Sequence, residues 1–235
     1  FKNDCTYLFP AAGTADSLNV AVISHYLGAG GRIDQTNSLK FEEKPLRKLF
    51  SFYARGRDSG LIPGSVLKMS SSDDTWRDFL AEKGTVAHVD SHQFLVSQGL
   101  LQKVGFMSIP TYDGHTVALA EGWGAVVVTP SARRQKAAME FLNWLFQPDW
   151  YGKWCEAAKM LPVTVEGMKY WHEAHGASAY GEFLDSMLGS AISLPAAETF
   201  RESAVQLEGK SRKILAQPST DLEKAIQELI TSPKG

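Results

Sequence analysis

Glu121-Gly122-Trp123-Gly124-Ala125-Val126-Val127-Val128-Thr129-Pro130-Ser131 decides how this chain reads. A bulky aromatic stands between two glycines and leads into an apolar, β-branched run. Glycine at 122 and 124 clears side-chain volume around the indole and lets a neighbouring backbone come close. The composition of 125–129 predicts a strand. Pro130 and Ser131 stop it and open a helix over 132–146. A strand that ends in a loop before a helix is where open α/β folds hold their ligands. Trp123 then either anchors a strand in the core or forms an aromatic platform on a binding surface.

The flanking sequence repeats the alternation of short strands and helices. Residues 5–9 predict a strand, followed by a loop at Pro10 and Gly13. Asp16 or Ser17 can cap a helix running to Leu27, which ends at Gly28-Ala29-Gly30-Gly31. Those glycines follow a helix instead of linking a strand to one, so they are not a dinucleotide fingerprint. Over 45–54, Leu46, Leu49, Phe50 and Tyr53 share one face of an amphipathic helix. Ser70-Ser71-Ser72-Asp73-Asp74 precedes a helix over 75–82 with an acidic first turn, as the helix dipole favours. Strands are expected at 85–89, 105–110 and 116–120, and helices at 91–98, 149–159, 165–174, 179–188, 196–207 and 220–230. Without internal repeats, this order indicates an α/β protein with extra helices towards its end.

Composition excludes several classes. The chain has 235 residues, of which 44% are apolar and 21% charged, the balance of a globular protein and not of a disordered one. A formal net charge of -2, with no dense basic run, argues against a nucleic-acid partner. No apolar run is long enough for a bilayer, so this segment is not expected to insert in a membrane. Cys5 and Cys155 read as two isolated thiols. The chain opens on Phe1-Lys2-Asn3-Asp4, and the expectation is a start that was processed away or lies upstream.

Chemistry-bearing constellations are sparse. His88, Asp90 and His92 would share one side of an unbroken strand, but no Cys or Glu stands at a spacing that completes a four-ligand metal site. They read better as polar groups at a strand end. There is no Gly-x-Ser-x-Gly elbow, and the serines at 70–72 have no base paired to them by spacing. Neither a cofactor nor catalysis is expected. Aromatic and small polar residues near loops are plentiful instead: Tyr7, Phe9, Trp76, Tyr112, Trp123 and Phe200. Sugar C–H faces stack on such rings while Asp, Gln and Ser bind the hydroxyls, a pattern suited to a binding cleft.

The opening stretch, with Ala137-Ala138-Met139-Glu140-Phe141-Leu142-Asn143-Trp144-Leu145 and Met160-Leu161-Pro162-Val163, resembles the extracellular solute-binding proteins of ABC sugar importers, of the maltose-binding type. In that family a glycine-rich strand leads to an A-x-x-F-x-x-W/F-L helix, and a G-x-L-P turn follows the next helix; here Lys159-Met160-Leu161-Pro162 lacks the glycine. Tyr26-Leu27-Gly28-Ala29-Gly30-Gly31-Arg32-Ile33 resembles the end of the first C-terminal-lobe helix. The resemblance covers nearly the whole chain in order.

It implies a periplasmic-binding-protein-like (type II) lobe with a helical C-terminal region and most of the N-terminal lobe absent. Residues 1–112 and 161–235 would form the C-terminal lobe, and 113–160 would belong to the N-terminal lobe. The implied function is capture of an extracytoplasmic sugar or polyol, in a periplasmic or cell-surface lipoprotein, for delivery to ABC permease subunits. The alternatives are a non-transporting interaction domain and a carbohydrate-active enzyme. By position in the family's pattern, Phe9, Gly13 and Thr14 would contact ligand before the first C-terminal-lobe helix. Asp90, Ser91 and Gln93 stand near the family's G-P-W position, without its Trp. Trp123 lies in the glycine-rich strand, and Thr199 and Phe200 lie where a late helix offers an aromatic. The apolar face at Ala138, Phe141, Leu142 and Leu145 would have its core partner in the absent part, which makes self-association an expectation.

Overall fold

A computed structural model of the chain describes residues 5–13, 18–97, 104–175 and 178–231. Thr14, Asp16 and Ser17 lie outside them. Contacts divide the chain into two units, one of 1–93, 108–119 and 190–235, the other of 94–107 and 120–189. Residues 94–107 and 161–189 thus join 120–160, and the boundaries differ from the 1–112, 113–160 and 161–235 segments.

In the first unit, β1 (Tyr7–Leu8) runs parallel to β4 (Val86–Ala87), with Tyr7 opposite Val86. Helix α1 (Val20–Gly28) is buried along almost its whole length, because its run of Val, Ala, Ile, Tyr and Leu leaves no polar stripe. Its cap is Asn19, whose Oδ1 accepts from Val22 N at 3.1 Å while its amide donates to Pro10 O at 2.9 Å. An antiparallel pair follows, β2 (Arg32–Ile33) with β3 (Leu39–Lys40). Asp34 closes it by accepting from Thr36 N and Ser38 N.

Helix α2 (Glu43–Asp58) buries Leu46, Leu49, Phe50, Tyr53 and Gly56, the period of one helical face. It extends beyond 45–54 because Glu43 suits the dipole at its start, while Arg55 and Arg57 suit it at the end. A 3-10 turn at Gly64–Lys68 leads to α3 (Ser72–Leu80), capped by Ser71 through Asp74 N. Helix α9 (Glu198–Ala216) runs past the expected end at Leu207, since Ser211, Ile214 and Leu215 continue its buried face through the polar stretch. It packs with α2 and with α10 (Leu222–Thr231) around one core.

The second unit takes in all but the first three residues of α4 (Ser91–Ser97), then α5 (Ala132–Leu145), α6 (Pro148–Ala157), α7 (Val165–His175) and α8 (Ala179–Leu188). Pro148 opens α6 from its first turn, where the missing N–H costs nothing. Helices α6 and α7 approach closely: a Cβ at Gly152 would stand 2.6 Å from Gly167 O. The small core here is Leu95, Trp171, Tyr180 and Leu184, backed by Phe94 and Phe183. Strands β5 (Ala118–Ala120) and β6 (Ala191–Ser193) form a third two-stranded sheet. The strands expected at 105–110 and 125–129 do not form. Val126 and Val128 are 79% and 87% exposed, and a β-branched run without a neighbouring strand has no ladder to join. Both cysteines are free thiols, Cys5 exposed and Cys155 buried.

Candidate functional site at the carboxyl ends of β1 and β4

Parallel strands deliver the chain to the same end of the sheet, so the segments after β1 and β4 emerge side by side. His88 N, one residue past β4, donates to Leu8 O at the end of β1 at 2.8 Å, so the two segments stay paired to the end of the sheet. After β1, Ala11 N and Ala12 N donate to Val66 O and Met69 O at 3.1 and 2.9 Å, laying this segment along the 3-10 turn. Gly13 follows with φ +67°, in the left-handed region. A Cβ there would also collide with the carboxylate of Glu208 on α9. Burial pushes the Glu208 carboxyl up, with Arg212 pulling the other way.

After β4, Asp90 Oδ1 accepts from Gln93 N at 3.0 Å and caps α4, whose first residue is the half-buried Ser91. The Gln93 side chain donates to Asp73 Oδ1 on α3. Beside it, Asp74 accepts from Ser70 N and Ser70 Oγ at 2.9 Å each. Those bonds, with Arg77, hold the Asp74 carboxyl at about 2. The segments after the two strands therefore carry two groups, Asp90, Ser91 and Gln93 with Asp73, and Gly13 with Glu208, and the first supplies carboxylates, an amide and a hydroxyl.

The other sequence-selected residues fall elsewhere. Phe9 is fully buried, stacked 5.7 Å from Tyr53 and edge-on to His25 at 4.9 Å. Phe200 is fully buried in the same core. Neither ring presents a face at the surface, because each closes an apolar helix interface. Thr199 is exposed, and its Oγ1 donates to Thr36 O and Asn37 O at 3.3 and 3.4 Å, tying the start of α9 to the β2–β3 turn. Trp123, in the second unit, is 91% exposed, with open space around Gly122 and Gly124. It is no core anchor.

Beneath the rim lies a polar cluster that periodicity does not reveal. Tyr7 Oη meets His25 Nε2 at 2.6 Å, and His25 Nδ1 meets Tyr53 Oη at 2.8 Å. His88 Nδ1 lies 3.4 Å from both Tyr7 Oη and His25 Nε2. Desolvation pushes the Tyr7 and Tyr53 hydroxyls up and the His25 imidazole well down, with His88 adding to the latter. Burial lowers His88 to about 4, against the pull of Asp90. A histidine at position 25 on an otherwise apolar helix was the one available signal. Among the described residues no group of three His, Cys, Asp or Glu is arranged to hold a metal ion.

No protein-family model matches the chain, and no curated protein matches it. Solved structures do. The maltose-bound MalE3 of T. maritima matches with a TM-score of 0.76 and 16% identity, over 96% of this chain and 59% of that one. The cyclic alpha-maltosyl-1,6-maltose binding protein of Arthrobacter globiformis matches at 0.71 and 19%, over 97% and 59%. The sugar-binding protein MalE of Xanthomonas citri matches at 0.70 and 16%, over 98% and 57%. The chain spans less than two thirds of the length of these structures. Its fold is periplasmic-binding-protein-like (type II), with a helical C-terminal region and part of the N-terminal lobe. No helix among the described residues is long and apolar enough to cross a membrane.

Proposed function

We propose that the chain is part of an extracytoplasmic solute-binding protein that captures a sugar or related polyol, leaves it unaltered, and passes it to an ABC permease. The observation that carries this reading is the rim after β1 and β4. It offers Asp73, Asp90, Gln93 and Ser91 where an open α/β fold holds ligand, in a fold otherwise met in proteins described as binding maltose and other sugars. Mixed carboxylate, amide and hydroxyl groups suit ligand hydroxyls, which both donate and accept. We read 1–112 and 161–235 as the C-terminal lobe, and 113–160, most of which falls in the second unit, as the piece of N-terminal lobe. Trp123 is read as an aromatic face for the ligand, presented by Gly122 and Gly124. The protein would be periplasmic or anchored at the cell surface. Calorimetry of the natural full-length product against a carbohydrate panel should find at least one tightly bound sugar. Binding of peptides or metal ions alone would refute the sugar assignment.

A further inference from the structure

The protons of the buried cluster can be placed by elimination, and the placement gives His88 a role. Tyr53 is fully buried, and its hydroxyl has one partner among the described residues, His25 Nδ1. A buried hydroxyl proton without an acceptor is strongly unfavourable, so Tyr53 O–H donates to that nitrogen. The neutral His25 ring then carries its proton on Nε2, which donates to Tyr7 Oη at 2.6 Å. The Tyr7 proton is left with His88 Nδ1, at 3.4 Å. His88 accepts at Nδ1 and must hold its own proton on Nε2. That nitrogen lies on the opposite edge of the ring, with no partner among the described residues, yet it is not among the buried unpaired atoms, so it reaches solvent.

We propose that His88 is a ligand-binding residue whose Nε2–H, fixed outward by the hydrogen-bond chain running from Tyr53 through His25 and Tyr7, donates to an uncharged oxygen of the ligand. The ligand class rests on the sugar reading above; the direction of the chain does not. A neutral donor gives a carboxylate or phosphate no charge to pair with, and Asp90 two residues on disfavours anions further. The ring is half-buried, and desolvation on its packed side lowers its titration to about 4, so it stays uncharged through the neutral pH range while Nε2 meets solvent. With the Asp90 carboxylate near enough to pull on the imidazole, the segment offers both a donor and an acceptor, which suits a hydroxyl that must accept one bond and donate another.

Nitrogen-15 NMR of the imidazoles in the 235-residue chain at pH 7 reads the tautomer without any variant. His25 and His88 should both be protonated at Nε2 and unprotonated at Nδ1. A His88 protonated at Nδ1, or at both nitrogens, overturns the proposal. Tyr53→Phe removes the proton that orders the chain, and His88 should become a mixture of tautomers; an unchanged His88 would show that the chain does not set it. Titration with maltose and the rest of the carbohydrate panel should shift the His88 Nε2 resonance, and His88→Ala should weaken the bound sugar about tenfold. A sugar that binds without either effect removes His88 from the site. No sugar bound by any form overturns the sugar reading and the ligand named here together, whereas a wrong tautomer with sugar bound overturns this proposal alone.

Discussion

The two units treat their apolar residues differently. In the first, Leu46, Leu49, Phe50 and Tyr53 of α2, Phe200, Leu207 and Ile214 of α9, and Ile226 of α10 are all buried in one core. In the second, α5 has no buried residue at all, and Phe141, Trp144, Trp150 and Trp154 are 56, 53, 47 and 45% exposed. Both regions have the 3.6-residue pattern of helices that cover a core. The contrast shows that amphipathic spacing specifies a helix and the side it buries, but not whether this polypeptide supplies the cover. The ring pairs Phe141–Trp144 at 5.9 Å and Trp144–Trp150 at 5.5 Å form a surface cluster that leaves each residue about half exposed.

The largest expected difference lies in truncation. Phe50→Ala removes a ring that is 0% exposed and should lower unfolding stability by about 3–5 kcal/mol, measured by urea denaturation. A loss below 1 kcal/mol would mean that the core of the first unit is not closed as described.

The second effect is acid sensitivity. His88 titrates near 4 in the folded chain against 6.5 when unperturbed, and burial, with His88 beside it, holds His25 well below its ordinary value too. The unfolded chain therefore binds more protons between those values, so stability is fully present above about 6.5 and falls as pH drops towards 4. His88 alone should cost ~2 kcal/mol between pH 7 and pH 5. The groups around it do not reverse the sign: Tyr7 and Tyr53 stay protonated throughout, and Asp90 is already counted in the His88 value. His88→Phe combined with His25→Phe and Tyr53→Phe should flatten the profile; equal stability at both pH values in the unaltered chain would refute the buried network.

These contrasts also mark what could be read in advance. The face of α2 was legible because all its cover lies in this chain, and so were α5 to α8, from periodicity and Pro148. The extent of α9 was not, since Glu208, Lys210, Arg212 and Lys213 disguise a face that resumes at Ile214. The β2–β3 pair leaves no pattern in the sequence, because its strands have two residues each and its turn depends on the Asp34 carboxylate. The run 125–129 misleads, because composition reports a preference, while a strand needs a partner. At the site, clustering of Asp90, Ser91 and Gln93 follows from their being consecutive after a strand. Phe9 and Phe200 carry the same local signal as surface aromatics, and only tertiary packing separates the two cases. The Tyr7–His25–Tyr53–His88 cluster joins residues 18, 28, 63 and 81 positions apart, beyond any local pattern.

Trp123 tests the exposed side of the comparison through ligand. Its removal should leave the unfolding midpoint unchanged, because a ring 91% exposed contributes no core packing. If the indole stacks on sugar, Trp123→Ala in the full-length protein should cost roughly 1–3 kcal/mol of affinity. Unchanged affinity would remove Trp123 from the site.

The smallest effect on stability is expected at α5, where it separates packing from association. Phe141 is more than half exposed, and its close ring contact, with Trp144, lies on the same helix. Phe141→Ser should therefore change unfolding stability by no more than about 0.5 kcal/mol, the range of surface substitutions. The same change interrupts the exposed Phe141–Trp144–Trp150 ring cluster of the second unit, and exposed apolar patches drive association. Sedimentation velocity over a concentration series should show the unaltered chain forming larger species, and Phe141→Ser shifting that onset to higher concentration. A strictly monomeric chain would contradict the association, and a stability loss comparable to that of Phe50→Ala would mean that α5 is packed in solution much as α2 is.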